Sequence, residues 1–206
     1  MKILPSPTRK RLVVLAQLLS QKIALGTKRL TSAQLSILSG WSESTIRRDI
    51  SLIGGAEGAK GGYIISILRD KISSALDIGN EKNPRKCCIV GLGRLGSILL
   101  DSTGFDKSAF LLVAGFDSSP NRTEILRSEI PLYPTSKLES VVKSQGIEFA
   151  LLAVSESSAQ KATDRLISCG IRGIVNYTNT ILAVPEGFAV ENVSPSFALA
   201  NLASKL

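Results

Sequence analysis

Cys87-Cys88-Ile89-Val90-Gly91-Leu92-Gly93-Arg94-Leu95-Gly96-Ser97-Ile98-Leu99-Leu100-Asp101 sets the reading of the whole chain. A short apolar run enters three glycines at G-x-G-x-x-G spacing, and an apolar helical pattern leaves them. That is the order required of a strand–turn–helix that cradles a dinucleotide. Gly91 permits the tight turn, Gly93 lets backbone approach a pyrophosphate, and Gly96 lets the helix pack closely on the strand. The phosphates would lie along Gly91, Leu92, Gly93, Arg94, Leu95 and Gly96, where unpaired N–H groups and the positive end of the helix dipole favour an anion. A glycine turn that holds nothing meets the same spacing, so the flanking residues carry the weight.

Downstream, Phe110-Leu-Leu-Val-Ala-Gly-Phe116 is a buried-strand pattern that ends in Asp117, 21 residues after Gly96. An acidic residue at the end of the second strand, here with Ser118 beside it, binds the adenosine ribose hydroxyls and disfavours a 2′-phosphate, so NAD is expected over NADP. An ordinary turn aspartate is the alternative. Strand and helix patterns then alternate: a weak strand near 131–133, a helix over 136–144, a strand over 149–154, a helix over 157–169 and a strand over 171–177. Repeated alternation predicts a parallel sheet covered by helices on both faces. Ligands bind at the carboxyl ends of such strands, which places Val154, Ser155, Asn176, Tyr177 and Thr178 beside the cofactor.

Upstream, the chain changes character. Residues 1–85 carry 14 Lys and Arg against 6 Asp and Glu, whereas residues 86–206 carry 11 of each. All of the +8 net charge therefore precedes the glycine motif, a footprint expected of a nucleic-acid-binding module joined to a neutral ligand-binding one. Thr8 to Leu25 has helical spacing with Gly26 as its stop. Thr31-Ser-Ala-Gln34 matches a capping box, and the helix it opens ends at Ser39-Gly40. Ser42 caps a second helix from Glu43 to about Ile53, so the pair forms a helix-turn-helix. Its second helix presents Ser44, Thr45, Arg47 and Arg48 away from an isoleucine stripe of Ile46, Ile50 and Ile53. In a duplex major groove these would reach base edges and phosphates, while Asp49 serves as a cap or ion-pair partner. Residues 54–63 hold five glycines and form a tight hairpin or wing, with Lys60 and Gly61 toward a phosphate or the minor groove. A further helix covers 64–76, and the polar stretch 77–85 marks the boundary.

Composition narrows the classes further. Apolar residues make up 44% of the 206-residue chain, enough for a packed core, and no apolar run reaches the ~20 residues that span a bilayer. No signal-peptide pattern opens the chain, so a soluble cytoplasmic protein is expected. The chain has no histidine, which removes the commonest general base and metal ligand. Cys87, Cys88 and Cys169 have neither disulfide nor metal spacing and read as small buried hydrophobes, with a thiol switch as the lesser alternative. No metal and no catalytic residue is assigned.

In order along the chain, Ser44-Thr-Ile-Arg-Arg-Asp49, the glycine-rich wing, Cys88-Ile-Val-Gly-Leu-Gly-Arg-Leu-Gly96, Gly115-Phe-Asp117, Ala150-Leu-Leu-Ala-Val154, Cys169-Gly-Ile-Arg-Gly-Ile-Val-Asn-Tyr177 and Val190-Glu-Asn-Val193 resemble the Rex family of redox-sensing transcriptional repressors. The resemblance implies an α/β chain: a winged-helix DNA-binding domain over 1–80, a Rossmann-like dinucleotide-binding domain over 86–190, and a C-terminal dimerisation helix over 194–206. It implies a homodimer on a pseudo-palindromic double-stranded DNA operator, regulated by NADH and NAD⁺ and bound to no membrane. It also implies a sensor of Arg, Tyr and Asp at positions where this chain has Gln17, Ser102 and Ser194, and an aromatic where it has Pro195. A weakened response to reduction follows. The alternatives are an NAD-dependent oxidoreductase, with Lys161 and Tyr177 as unsupported bases, and a DNA-binding protein whose nucleotide is purely structural.

Overall fold

The computed structural model describes residues 4–55, 61–79, 82–101, 103–105 and 108–204. The chain divides into two compact units, Met1–Asn80 and Glu81–Leu206, each with its own apolar core. Among the described residues no helix is long and apolar enough to cross a membrane.

The first unit runs α1 (Ser6–Ala24), β1 (Arg29–Leu30), α2 (Ser32–Ser39), α3 (Glu43–Leu52), β2 (Tyr63–Ile64) and α4 (Ile65–Leu76). Local sequence sets most of these ends. Gly26 follows α1 at φ +80°, a conformation that costs glycine little. The capping box is present: the Gln34 N–H donates to Thr31 Oγ1 at 3.2 Å, and the Thr31 N–H donates to Gln34 Oε1 at 2.9 Å. Gly40 closes α2 in the left-handed region at φ +74°, and Ser42 caps α3 by accepting from the Thr45 N–H. Leu12, Leu15 and Leu19 of α1 meet Leu35, Ile46, Ile50, Ile65, Leu68 and Ile72 in the core, all nearly inaccessible. Ile53, expected on the buried stripe, is half-buried at the C-cap.

One ion pair fastens α1 to α3. Asp49 is 3% exposed and accepts from Arg11 Nε at 2.6 Å, Arg11 Nη2 at 2.9 Å and Thr8 Oγ1 at 3.0 Å. The same carboxylate raises the Arg11 pKa above its ordinary value, chiefly through the side-chain hydrogen bond. The strand that follows the glycine-rich stretch differs from expectation. β2 pairs antiparallel with β1, which precedes the helix-turn-helix, in the register Arg29↔Ile64 and Leu30↔Tyr63. The partner of that strand thus lies some 33 residues back in the sequence.

The second unit runs β3 (Arg85–Val90), α5 (Arg94–Leu100), β4 (Phe110–Asp117), α6 (Pro120–Ile125), β5 (Leu132–Pro134), α7 (Leu138–Gln145), β6 (Phe149–Leu152), α8 (Glu156–Ser168), β7 (Gly173–Asn176), β8 (Ala189–Asn192) and α9 (Pro195–Ala203). Its six strands lie in the order β5-β4-β3-β6-β7-β8, and every pairing is parallel. The order reverses at β3, with the chain winding one way through β4 and β5 and the other way through β6, β7 and β8. A doubly wound sheet opens a crevice at that switch point, beyond the carboxyl ends of β3 and β6. Alternate residues of β3 feed opposite cores. Cys88 and Val90 pack with Phe116, Leu138, Leu152 and Leu166, while Cys87 and Ile89 pack with Leu92, Leu112 and Leu151.

Two elements go beyond the sequence reading. β8 is an edge strand with only Val190 partly buried, so it lacks the apolar alternation that announces a strand. α6 is a six-residue helix with no buried side chain. β6 also stops at Leu152, leaving Val154 in the loop. At the opposite end of the sheet Glu148 bridges Arg85 and Arg172, and the Arg85 hydrogen bond in particular holds its carboxyl below the usual range.

The Arg11–Asp49 pair gives a direct test. Replacing Asp49 with Ala strips three hydrogen bonds and leaves Arg11 without its counterion, a loss of about 2–3 kcal/mol. Urea unfolding of the full chain followed by fluorescence of Trp41, the single tryptophan, reports this unit. A shift of less than ~0.5 kcal/mol would be that of an ordinary surface substitution.

Candidate nucleotide crevice and DNA-facing helix

The glycine loop leaves β3 at the switch point, and its three glycines do different work. Gly91 sits at φ +97°, and a Cβ there would lie 2.4 Å from the Ala153 carbonyl oxygen. A Cβ on Gly96 would lie 1.9 Å from the Gly91 carbonyl oxygen. Both are therefore required by the protein's own packing of loop, strand and helix. Gly93 is different. A Cβ there would meet only an Arg122 nitrogen at 3.5 Å, an ordinary contact, so nothing in the chain demands glycine at this position. Its bareness leaves backbone open to an approaching group, as a pyrophosphate cradle needs. Arg94 and Leu95 are exposed on the first turn of α5.

Asp117 closes the loop from the end of β4. It is 4% exposed, and its oxygens accept the Leu92 N–H at 2.7 Å and the Ser119 N–H at 2.8 Å. This specifies the role of Leu92: its side chain is buried and its N–H serves Asp117. Arg122, on α6, stands 3.5 Å from the same carboxylate with its side chain 54% exposed. Sequence reasoning missed Arg122. The available signal was a cation five residues after the strand-end aspartate, one turn into a helix started by Pro120.

The other side of the crevice holds the remaining expected residues. Val154 lies against Gly91, its Cγ1 2.9 Å from a Cβ built there. Ser155 is exposed at the start of α8, its hydroxyl sharing hydrogen bonds with Ser157 and Ser158. Ser118 is exposed and Tyr177 half-buried. Asn176 and Thr178 are turned inward. Asn176 is fully buried, donates to the Thr180 carbonyl and to Asn192 Oδ1 at 2.9 Å each, and accepts from the Thr178 N–H and hydroxyl. With both amide hydrogens engaged, Asn176 braces the end of β7 and shapes the crevice from behind. Ser194, before α9, is 6% exposed and donates to Asn179 Oδ1 at 2.7 Å.

Reactive groups are scarce. Cys87, Cys88 and Cys169 are free and buried; burial pushes the Cys87 thiol up to about 12 and the Cys88 thiol higher still. Neutral, inaccessible thiols are poor nucleophiles and poor redox sensors. Among the described residues no group of His, Cys, Asp and Glu could hold a metal ion.

In the first unit, α3 exposes Ser44, Arg47 and Arg48, with Thr45 half-buried. The Ser44 and Thr45 hydroxyls both lie 2.9 Å from the Ser42 hydroxyl. Arg47 is held: its Nε donates to Ser32 Oγ at 3.0 Å and its Nη2 to Glu43 Oε2 at 2.6 Å. Arg48 makes no hydrogen bond or ion pair among the described residues, so its guanidinium is available. Gly61 is exposed beside Arg29, whose Nη1 donates to the Gly62 carbonyl at 3.1 Å. Lys60 and the centre of the wing lie outside the described residues, as does Ser102.

The glycines separate fold from ligand experimentally. Gly96→Ala forces loop and helix apart and is expected to cost about 3 kcal/mol of stability, the upper end of the range for an overpacked core. Gly93→Ala at φ −68° is expected to cost under ~1 kcal/mol while weakening binding of NAD⁺ or NADH at least tenfold. Thermal melting and titration calorimetry on both variants read the two effects separately.

Comparison with known proteins accounts for both units. Residues 82–180 match the model of a CoA binding domain and residues 3–51 that of a putative DNA-binding protein N-terminus. The redox-sensing transcriptional repressor Rex of Listeria welshimeri is 32% identical over 200 residues, covering 97% of this chain and 91% of that protein. The Rex of Leuconostoc citreum is 35% identical over 191 residues, covering 92% and 87%. Among solved structures, RSP, a Rex-family repressor, in complex with β-NAD⁺ and operator DNA has a TM-score of 0.85 at 26% identity, covering 100% of this chain and 93% of that one. Its complex with β-NADH gives a TM-score of 0.82 at 26% identity, with 100% and 95% coverage. With identity of this level running through both units, the chain belongs to the Rex family of redox-sensing transcriptional repressors.

Proposed function

We propose that the chain is a Rex-type repressor that binds an operator as a homodimer and is regulated by NADH and NAD⁺. The observation that carries this reading is the crevice: a glycine loop with one glycine its own packing does not require, fastened to a strand-end aspartate at the switch point of a parallel sheet. Residues 1–80 form the DNA-binding domain, 86–190 the dinucleotide-binding domain and 194–206 the dimerisation helix, acting in the cytoplasm. The α9 helix has no buried residue and exposes Phe197, Leu199 and Leu202, an apolar stripe suited to a second copy. Membership of a repressor family over nearly the full length sets aside the oxidoreductase alternative.

The nucleotide is held by Gly91, Gly93, Arg94, Leu95 and Gly96, with Asp117 and Ser118 at the adenosine end and Val154, Ser155 and Tyr177 beyond. Leu92, Asn176 and Thr178 act behind them as support. When bound, the nicotinamide reports the reduction state, and the chain's own residues must convert that report into a change of DNA affinity. A ligand shifts a two-state equilibrium only through its differential affinity for the two states. Here Gln17 is exposed and Ser194 is a neutral hydroxyl bonded to an amide. Neither supplies the charge pairing that Arg and Asp would, so the response to reduction is weakened.

Duplexes selected by the protein from a random pool serve as the DNA probe for anisotropy measurements. NADH and NAD⁺, titrated separately, are expected to alter DNA binding with midpoints within tenfold of each other. Release by NADH at less than a tenth of the NAD⁺ concentration would overturn the weakened response, and no effect of either would favour a purely structural nucleotide. On α3, Arg48→Ala is expected to lose about 1–3 kcal/mol of binding at fixed salt, as for an arginine that reads a base. Arg47→Ala, whose guanidinium is engaged by Glu43 and Ser32, is expected to lose less. An equal loss from both would remove that distinction.

A further inference from the structure

We propose that Arg122 is a phosphate ligand of the nucleotide crevice, taking a phosphoryl group on the adenosine half of the dinucleotide. The inference rests on the dinucleotide reading above and goes beyond the glycine loop and strand-end aspartate that any such crevice contains. Three observations carry it.

First, Arg122 stands where a phosphate would arrive. One of its guanidinium nitrogens lies 3.5 Å from the point where a Cβ on Gly93 would sit, so the cation borders the loop at the glycine whose bareness the fold does not require.

Second, the fold does not need Arg122 at Asp117. Both carboxylate oxygens already accept backbone N–H groups at 2.7 and 2.8 Å, whereas the Arg122 contact is long, at 3.5 Å, with the arginine side chain 54% exposed. A contact this long to a half-exposed guanidinium adds little to a carboxylate already held by two backbone donors. Arg47 and Arg85, by contrast, each hold carboxylates in close hydrogen bonds. Asp117 parks the Arg122 guanidinium beside the loop through one long hydrogen bond from Nη1, and no other donor of Arg122 is engaged among the described residues.

Third, the chemistry fits. A guanidinium presents donors in a planar fork that matches two phosphate oxygens, and it stays charged throughout the accessible pH range. Swinging from the parked position to a phosphate breaks one weak contact and forms charge-assisted bonds. Asp117 keeps its two backbone donors meanwhile, so the loop does not move.

The same cation could serve the diphosphate bridge or a phosphate on the adenosine ribose, and two ligands tell them apart. Calorimetric titrations of the full chain with NADH and NADPH are compared between the natural protein, Arg122→Ala and Arg122→Lys, beside ligand-free melts of each. Loss of charge-assisted bonds to a phosphate is expected to weaken binding by about tenfold or more. A loss for both ligands assigns Arg122 to the bridge, and a loss for NADPH alone assigns it to the ribose phosphate. Arg122→Lys is expected to restore part of the loss, and the ligand-free melts are expected to coincide. Unchanged affinities in Arg122→Ala would overturn the proposal, as would a lowered ligand-free melt, which would make Arg122 structural. Natural protein that binds neither ligand would overturn the dinucleotide reading and this proposal together.

Discussion

A buried carboxylate with two backbone partners holds the crevice in shape. Asp117 ends β4, and through Leu92 and Ser119 it ties the glycine loop after β3 to the turn before α6. An uncompensated charge at this depth costs several kcal/mol, so loop and strand end cannot part without stranding it. The positions of Gly93, Arg94 and Arg122 all follow from that clamp. The constraint also redefines the aspartate. It reads in sequence as a group aimed at ribose hydroxyls, yet much of its accepting capacity is turned inward, and the groups it presents outward are the exposed Ser118 and the guanidinium it restrains.

Asp49 does comparable work in the first unit by different means. Its partners are side chains, Arg11 and Thr8, both from α1. The orientation of α3 is therefore set by a helix some forty residues earlier. The contrast with Asp117 is instructive. A carboxylate satisfied by a tightly held cation locks two elements together and offers nothing to a ligand. One satisfied by backbone N–H groups leaves a neighbouring cation loosely attached and able to change partners.

Legibility in the sequence follows the range of the interaction. Capping by Thr31 and Ser42, the left-handed stop at Gly40 and the glycine spacing of 91–96 are local, and each is visible in a window of a few residues. The parallel sheet is visible because strands buried on both faces are apolar throughout, as in Cys87–Val90 and Ala150–Leu152. β8 is hidden because an edge strand needs only one partner and little burial, and Ala189, Glu191 and Asn192 show no alternation. The pairing of β1 with β2 is hidden because two-residue strands carry no periodicity. For Asn176 the position is legible and the bonding is not: sequence places it at a strand end, and only the fold shows both amide hydrogens committed to Thr180 and Asn192. Arg122 is hidden because its meaning depends on standing beside Gly93, across the loop from it.

The proposed weakening of the response rests on the strength of the bonds available to carry it. Ser194, which precedes α9, donates to Asn179, and Asn179 Nδ2 donates to Glu156 Oε1 in the first turn of α8 at 3.1 Å. This is a connection from the base of the terminal helix to an element that borders the crevice. Its links are hydroxyl and amide bonds, each with a net contribution of about 0.5–1.5 kcal/mol. Taking a two-state equilibrium from 1:99 to 99:1 requires about 5.5 kcal/mol of differential binding. Four or more such bonds would have to form in one state and be wholly absent in the other, with no compensation from water. A buried Arg–Asp pair could supply a large part of that difference in one contact. On the proposed reading, in which Ser194 stands where an acid would, hydroxyl and amide bonds of this strength bias such an equilibrium without throwing it, which is the graded response proposed for this chain.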